Sequence, residues 1–140
     1  MVLDARPEVF NHNVETVPRL YPTVRRGARL ERSLGLLSAA KILNPDVTAK
    51  SGLMLGLGER EDEVRGLLEA LRGANVDIVT IGQYLRPTRE HEPVHRYVTP
   101  QGFQAFAQAA RGLGFPTVHS GVFVRSSFNA EEVFRAGGPS

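Results

Sequence analysis

No cysteine occurs anywhere in the 140 residues. That absence excludes disulfides, thiolate zinc sites and cysteine-held iron–sulfur clusters within the chain. Lysine is nearly absent too: Lys41 and Lys50 are the only two, so arginine carries most of the positive charge. Lys and Arg together number 17 against 15 Asp and Glu, a net charge of +2 with both signs spread along the chain. Without a basic block, the pattern argues against a nucleic-acid binder. No apolar run approaches the ~18 residues of a membrane span. The opening Met1-Val2-Leu3-Asp4-Ala5-Arg6-Pro7 lacks the apolar core of a signal peptide. The expectation is a cytoplasmic chain with a single core.

What is present alternates between short β-like runs and helical ones. Strands are expected at Glu8–Asn11, Thr48–Leu57, Val76–Leu85 and Thr117–Val124. A helix is expected over 29–43, with Leu36, Leu37, Ala40 and Leu43 as its apolar face and Asn44-Pro45 as its stop. Val64, Leu67, Leu68 and Leu71 fall at i, i+3, i+4, i+7, with Gly73 as the C-terminal glycine. Thr99-Pro100 reads as an N-cap with proline at the first helical position, followed by the stripe Phe103, Phe106, Ala107, Ala110 and a stop at Gly114. Asn129 is placed to cap a short helix through Phe134. Strands separated by helices imply an α/β fold with parallel pairing and right-handed crossovers. A closed eightfold barrel needs about 250 residues, so the sheet is open or part of a barrel.

The strand ends carry the polar residues: Asn11-His12-Asn13, Gly56-Leu57-Gly58-Glu59 and Gln83-Tyr84. In parallel α/β folds ligands bind at the C-terminal ends of strands, so one shared site on one rim is expected. Asn11 to Thr16 suits either a polar ligand or a capped turn. Gly56-x-Gly58 is only a fragment of a dinucleotide fingerprint, and a tight strand-to-helix turn explains it equally. Lys50, at the start of an apolar run, either snorkels to solvent or receives a carboxylate. His91-Glu92-Pro93-Val94-His95 matches the H-E-x-x-H zinc pattern, but Pro93 would break the helix that the pattern requires, so a surface loop is expected. Arg125-Ser126-Ser127 reads, on composition, as a turn with a solvated arginine.

Five stretches together resemble lipoyl synthase: VFNHNVETVPRLY (9–21), KSGLMLGLGE (50–59), DIVTIGQYLRPT (77–88), PVHRYVTPQGF (93–103) and SGVFVRSSFNAEE (120–132). The resemblance runs from Leu3 to Glu132. It implies the C-terminal part of a partial (β/α) radical-SAM barrel, parallel strands with outer helices, over 1–116, and a tail over 117–140 carrying Arg125-Ser126-Ser127-Phe128. It further implies radical S-adenosylmethionine chemistry that inserts two sulfur atoms into an octanoyl chain on a lysine of a lipoyl carrier protein or lipoyl domain.

Two 4Fe-4S clusters serve that chemistry in the family. One cleaves S-adenosylmethionine to a 5′-deoxyadenosyl radical, and the auxiliary one supplies the sulfur. By the resemblance, Asn13, Glu15, Arg32, Ser33, Lys50, Gln83, Tyr84 and Leu85 lie at the S-adenosylmethionine site, with Arg32 and Ser33 facing the methionine carboxylate. Ser127 is the implied auxiliary-cluster ligand and Ser126 the second choice. A hydroxyl is a weaker partner for iron than a thiolate, which suits an iron that departs when its cluster is consumed.

This sequence departs from the family pattern at Phe128, where the family has tyrosine, at Arg86-Pro87, where it has Gln-Pro, and at Leu30, where tyrosine is common. The family's Cys-x3-Cys-x2-Cys loop and its second cysteine triplet have no counterpart in the chain. The expectation is therefore a C-terminal half that is inactive alone and served by a separate cysteine-bearing N-terminal half. The alternative is a cluster-free module that binds S-adenosylmethionine or the carrier protein. Such a half is expected to expose a strand edge and an uncovered apolar face.

Overall fold

The computed structural model describes residues 9–124. Four strands, β1 (Val9–Asn11), β2 (Thr48–Leu55), β3 (Ile78–Gln83) and β4 (Thr117–Gly121), form one sheet in sequence order, and every pair is parallel. Helices α2 (Leu30–Leu43), α3 (Glu61–Gly73) and α4 (Pro100–Gly112) make the crossovers. Consecutive parallel strands joined by right-handed crossovers put all three helices on one side of the sheet, as in the wall of a (β/α) barrel. This is the expected α/β architecture.

The period-2 alternation of the strands separates the two faces. Ala49, Leu53 and Leu55 of β2 and Val79 and Ile81 of β3 point to the helices and join the core. The stripe Val64, Leu67, Leu68, Leu71 of α3 is buried against them, as is Phe103, Phe106, Ala107, Ala110 of α4. Both stripes are those read from the sequence. Thr99 Oγ1 accepts from Gly102 N and Pro100 opens α4, so that N-terminus also follows the reading. Gly114, at φ +97°, ends it.

Three expectations are corrected. The apolar face of α2 is not Leu36, Leu37, Ala40 and Leu43: Leu36 is 45% exposed and Leu43 84% exposed, while Leu37 and Ser33 are buried and Leu30 and Leu34 pack on the core. Apolar residues nearly encircle this helix, so periodicity alone does not select a face; the His12–Ser33 hydrogen bond helps fix it. Gly73 is not the left-handed terminator of α3. Asn75 takes that conformation at φ +67°, which asparagine tolerates. Nor is the face away from the helices apolar. It presents Thr48, Lys50, Gly52 and Met54 from β2, Ile78, Thr80 and Gly82 from β3, and Thr117, His119 and Gly121 from β4. Apart from Met54 and Ile78, small and polar side chains fill it. The remaining expectation about the sheet holds among the described residues: β1 and β4 each pair on one side only.

One segment was not legible as structure in the sequence. Pro18–Leu20 forms a 3-10 turn that runs into the single-turn helix α1 (Tyr21–Val24). Its Arg19 reaches across to α3, where the guanidinium donates to both carboxylate oxygens of Glu63, at 2.7 and 3.0 Å, and to the Gly58 carbonyl at 2.9 Å. Glu63 Oε1 also accepts from Arg60 N at the start of α3. The arginine holds the Glu63 carboxyl well down, at about 2 rather than 4.5.

Two predictions follow from these contacts. Glu59 is buried, and its two oxygens accept from Gly56 N and Leu57 N, both at 2.9 Å. Glu59→Gln places an amide donor against one of these N–H groups, so urea unfolding should lose about 1–3 kcal/mol; an unchanged midpoint would mean that water satisfies the turn. For Glu63 the folded pKa lies below the unfolded one, so its contribution is complete above pH 4.5 and is lost as pH falls from 4.5 through about 2. Glu63→Gln should flatten that part of the acid unfolding profile relative to wild type and leave the profile above pH 5 parallel; identical acid limbs would remove the Arg19–Glu63 tie from the account.

Candidate active site rim

Past β1 the chain keeps tracking along β2. His12 N donates to Lys50 O, and then Val14 N and Glu15 N both donate to the single carbonyl of Gly52 at 3.1 and 3.0 Å. Glu15 O accepts from Met54 N at 2.8 Å, which closes a bridge to Leu53. Two donors on one acceptor mean one extra residue on this strand, a bulge that re-aims the side chain it carries. Glu15 takes φ +71°, the left-handed region that a non-glycine residue enters only under constraint.

The constraint comes from α1. Tyr21 Oη donates to Val14 O at 2.9 Å, and Arg25 Nη1 donates to Asn13 O at 3.0 Å. Tyr21 is buried, and burial pushes its phenol up to about 12, so it stays a donor. Tyr21 and Arg25 were not singled out by the sequence reading. The only available hint was the pair Pro18 and Pro22, each suited to the first turn of a helix.

The bulge turns Glu15 into a cleft of about 490 Å³ at the C-terminal ends of β2 and β3. Arg25, Met54, Tyr84, Leu85 and His91 also line it. Burial raises the Glu15 carboxyl above its ordinary value, and the Arg25 guanidinium partly offsets that. Two residues earlier, Asn13 is 8% exposed, and its Oδ1 has no hydrogen-bond partner among the described residues. Backbone strain held at an ionisable, half-buried carboxylate is common at functional sites.

Of the residues named from the sequence, Glu15, Tyr84 and Leu85 line this cleft, while Asn13, two residues before Glu15, is buried. Tyr84 Oη donates to Glu92 O at 2.6 Å, which fixes the far wall. Arg32 and Ser33 lie in a neighbouring groove that shares Arg25 with the cleft. There Ser33 is hydrogen-bonded to His12 Nε2 at 3.0 Å, and burial together with Arg25 lowers the His12 pKa.

Lys50 does not snorkel. It is 7% exposed on the sheet face away from the helices, and among the described residues its amine has no ion-pair or hydrogen-bond partner. Burial lowers its pKa. Thr80, on the same face, also keeps an unpartnered buried hydroxyl.

Gln83 faces the helix side. Its Oε1 accepts from Val98 N, and its Nε2 donates to Tyr84 O and Arg96 O, so it ties the loop between β3 and α4. Ser126 and Ser127, with Arg125 and Phe128, lie outside the described residues, as does the helix start at Asn129. Val124, just before them in sequence, rests on the sheet: a Cβ at Gly82 would meet the Val124 carbonyl at 2.1 Å.

The two weaker motifs resolve as packing. Gly56 and Gly58 adopt φ +103° and +108°. A Cβ at Gly56 would strike Gln83 Nε2 and Arg96 O, at 2.4 and 2.5 Å. This glycine turn is therefore closed by the chain's own loop, which His95 N fastens to Gly56 O at 2.7 Å. His91 and His95 sit in that loop, not on a helix. His95 Nε2 pairs with Glu92 Oε2 at 3.0 Å and His91 Nδ1 with Thr88 Oγ1 at 2.7 Å, so they do not share a helix face as the zinc pattern requires. No helix among the described residues is long and apolar enough to cross a membrane.

No family model matches the chain. Curated relatives do. It is 55% identical over 131 residues to the lipoyl synthase of Rubrobacter xylanophilus, covering 94% of this chain and 41% of that protein. It is 52% identical over 132 residues to the lipoyl synthase of Koribacter versatilis, covering 94% and 43%. With lipoyl synthase 2 of Prochlorococcus marinus the identity is 54% over 131 residues, covering 94% and 42%. The chain spans about two fifths of the length of the curated relatives it matches. The sheet whose strand ends build the Glu15 cleft lies within the part of the chain that matches these lipoyl synthases, and the chain resembles the C-terminal part of those proteins.

Proposed function

We propose that this chain supplies the S-adenosylmethionine-binding rim of a lipoyl synthase, whose whole activity is the insertion of two sulfur atoms into a protein-bound octanoyl-lysine. The observation that carries the reading is the bulge at Glu15: a strained, half-buried carboxylate lines the cleft, two residues from Asn13, whose buried amide oxygen has no hydrogen-bond partner among the described residues.

The residues fit the ligand. A nucleoside offers hydroxyl donors, and Glu15 and Asn13 Oδ1 are acceptors without donors of their own. Tyr84 and Leu85 give the cleft a flat apolar wall for a purine ring. Arg32, with Ser33 beside it, is the cation for a carboxylate, and Lys50 is a second, desolvated one. Arg25 holds the Asn13 carbonyl and steadies Glu15. When bound, S-adenosylmethionine would supply the radical precursor; this chain's residues bind it, orient it and keep water from it.

The clusters do not fit the described residues. The chain has no cysteine, and among the described residues no group of three His, Asp or Glu side chains converges. Any thiolates must come from a cysteine-bearing portion, and no chemical step is assigned to this chain alone. Ser127, or Ser126 after it, stays the hydroxyl ligand that the family resemblance suggests for the auxiliary cluster. The octanoylated carrier protein or lipoyl domain stays the substrate that it suggests. A second reading, a cluster-free module that binds S-adenosylmethionine, shares the same rim and differs only in needing no cysteine-bearing partner.

Calorimetric titration with S-adenosylmethionine tests the rim. Wild type should bind, and Glu15→Gln should weaken binding by about tenfold or more, the loss expected when a charge-assisted hydrogen bond of about 1.5–3 kcal/mol goes. Because burial raises the Glu15 pKa, the ionised carboxylate opposes folding above that pKa. Glu15→Gln should therefore leave neutral-pH stability equal or higher while binding falls. Equal affinity in the variant, or binding lost only through unfolding, would reject this site.

A further inference from the structure

Charge that is spread evenly in sequence is not spread evenly in space. Between residues 19 and 32 stand Arg19, Arg25, Arg26, Arg29 and Arg32 against one carboxylate, Glu31. Several other arginines are matched: Arg60 with Asp62, Arg65 with Glu61, Arg96 beside Glu59, and Arg19 itself with Glu63. Among the described residues, none of Arg25, Arg26, Arg29 and Arg32 forms an ion pair. Arg26, Arg29 and Arg32 are exposed.

The connection that carries them borders two grooves of about 640 and 270 Å³, and Arg26 and Arg29 line both. Each groove has an apolar element, Pro22 and Leu30 in the larger and Leu36, 45% exposed, in the smaller. The smaller groove adjoins the rim cleft at Arg25, which lines the two.

We propose that this arginine ridge is the docking surface for an acidic face of a partner protein, placed so that a segment of that partner reaches past Arg25 into the rim cleft. Guanidinium groups on a short, folded connection suit carboxylates, which they engage in forked pairs. Exposed arginines that outnumber the one carboxylate in the stretch, Glu31, leave a net positive potential to steer such a partner. A nucleic acid is the poorer occupant: the ridge offers no exposed aromatic ring for stacking, since Tyr21 is 4% exposed. The proposal rests on the synthase reading for the cargo, an octanoyl-lysine, and not for the docking charge.

The test uses the full chain and three fluorescent peptides: an Asp/Glu-rich peptide with one octanoyl-lysine, the same peptide without the octanoyl group, and the octanoyl peptide with its acids replaced by serine. Both acidic peptides should bind about tenfold or more tighter than the serine peptide, an advantage that fades as salt is raised. Arg26→Glu with Arg29→Glu should abolish that advantage, and Arg26→Gln with Arg29→Gln should reduce it. Equal binding by wild type and both double variants would overturn the proposal. So would a single-stranded oligonucleotide of equal charge that binds tighter than the acidic peptides through the same arginines. Acidic peptides that bind through Arg26 and Arg29 without any S-adenosylmethionine binding would support the ridge and count against the synthase reading alone.

Discussion

The carbonyl of Gly52 accepts from two successive N–H groups, Val14 and Glu15, and the site depends on that sharing. One extra residue on the track beside β2 turns a side chain that would lie flat on the sheet toward the strand ends. Everything nearby serves to keep it there. Tyr21 holds the carbonyl before the bulge, Arg25 holds the one before that, and Met54 closes it from the other strand. The backbone strain at Glu15 is tolerated because these bonds over-determine it, and strain so held is common at functional sites.

The same division of labour runs through the sheet. Large aliphatic side chains on one face and three amphipathic helices over them make the core, while the opposite face keeps glycines, threonines and one desolvated lysine. Stability comes from the first face, and the second is left with groups that have unmet hydrogen-bonding capacity, such as Thr80. The loop between β3 and α4 is fastened at Gly56 and by Gln83, so the rim's outer wall is held by backbone contacts at both strand ends.

Much of this was legible in the sequence. The short β-like runs located the sheet, and the stripes of α3 and α4 the core, because strongly amphipathic helices leave one choice of face. The polar strand ends pointed to one rim. The α2 face was not legible, because apolar residues on nearly every side leave the choice to tertiary contacts such as His12 with Ser33. Nor was α1, a single turn too short for any period, although Tyr21 and Arg25 on it are what hold the bulge. The loop-tying bonds of Gln83 were not legible either, since they depend on which way a strand-end residue faces. Gly56-Leu57-Gly58 was a weak fingerprint or a tight turn in the sequence, and the Arg96 carbonyl and the Gln83 amide packed against Gly56 fit the turn.

The account's central claim is that the ligand lies at the Glu15 bulge. Backbone amide spectra of the uniformly labelled chain, recorded with and without S-adenosylmethionine, test it most directly. The account predicts shifts concentrated at Asn13 to Glu15, Arg25, Met54 and Tyr84 to Leu85, with Gly56 to Gly58 and α3 little changed. Shifts centred on the Gly56–Gly58 turn, or none at saturating ligand, would contradict it.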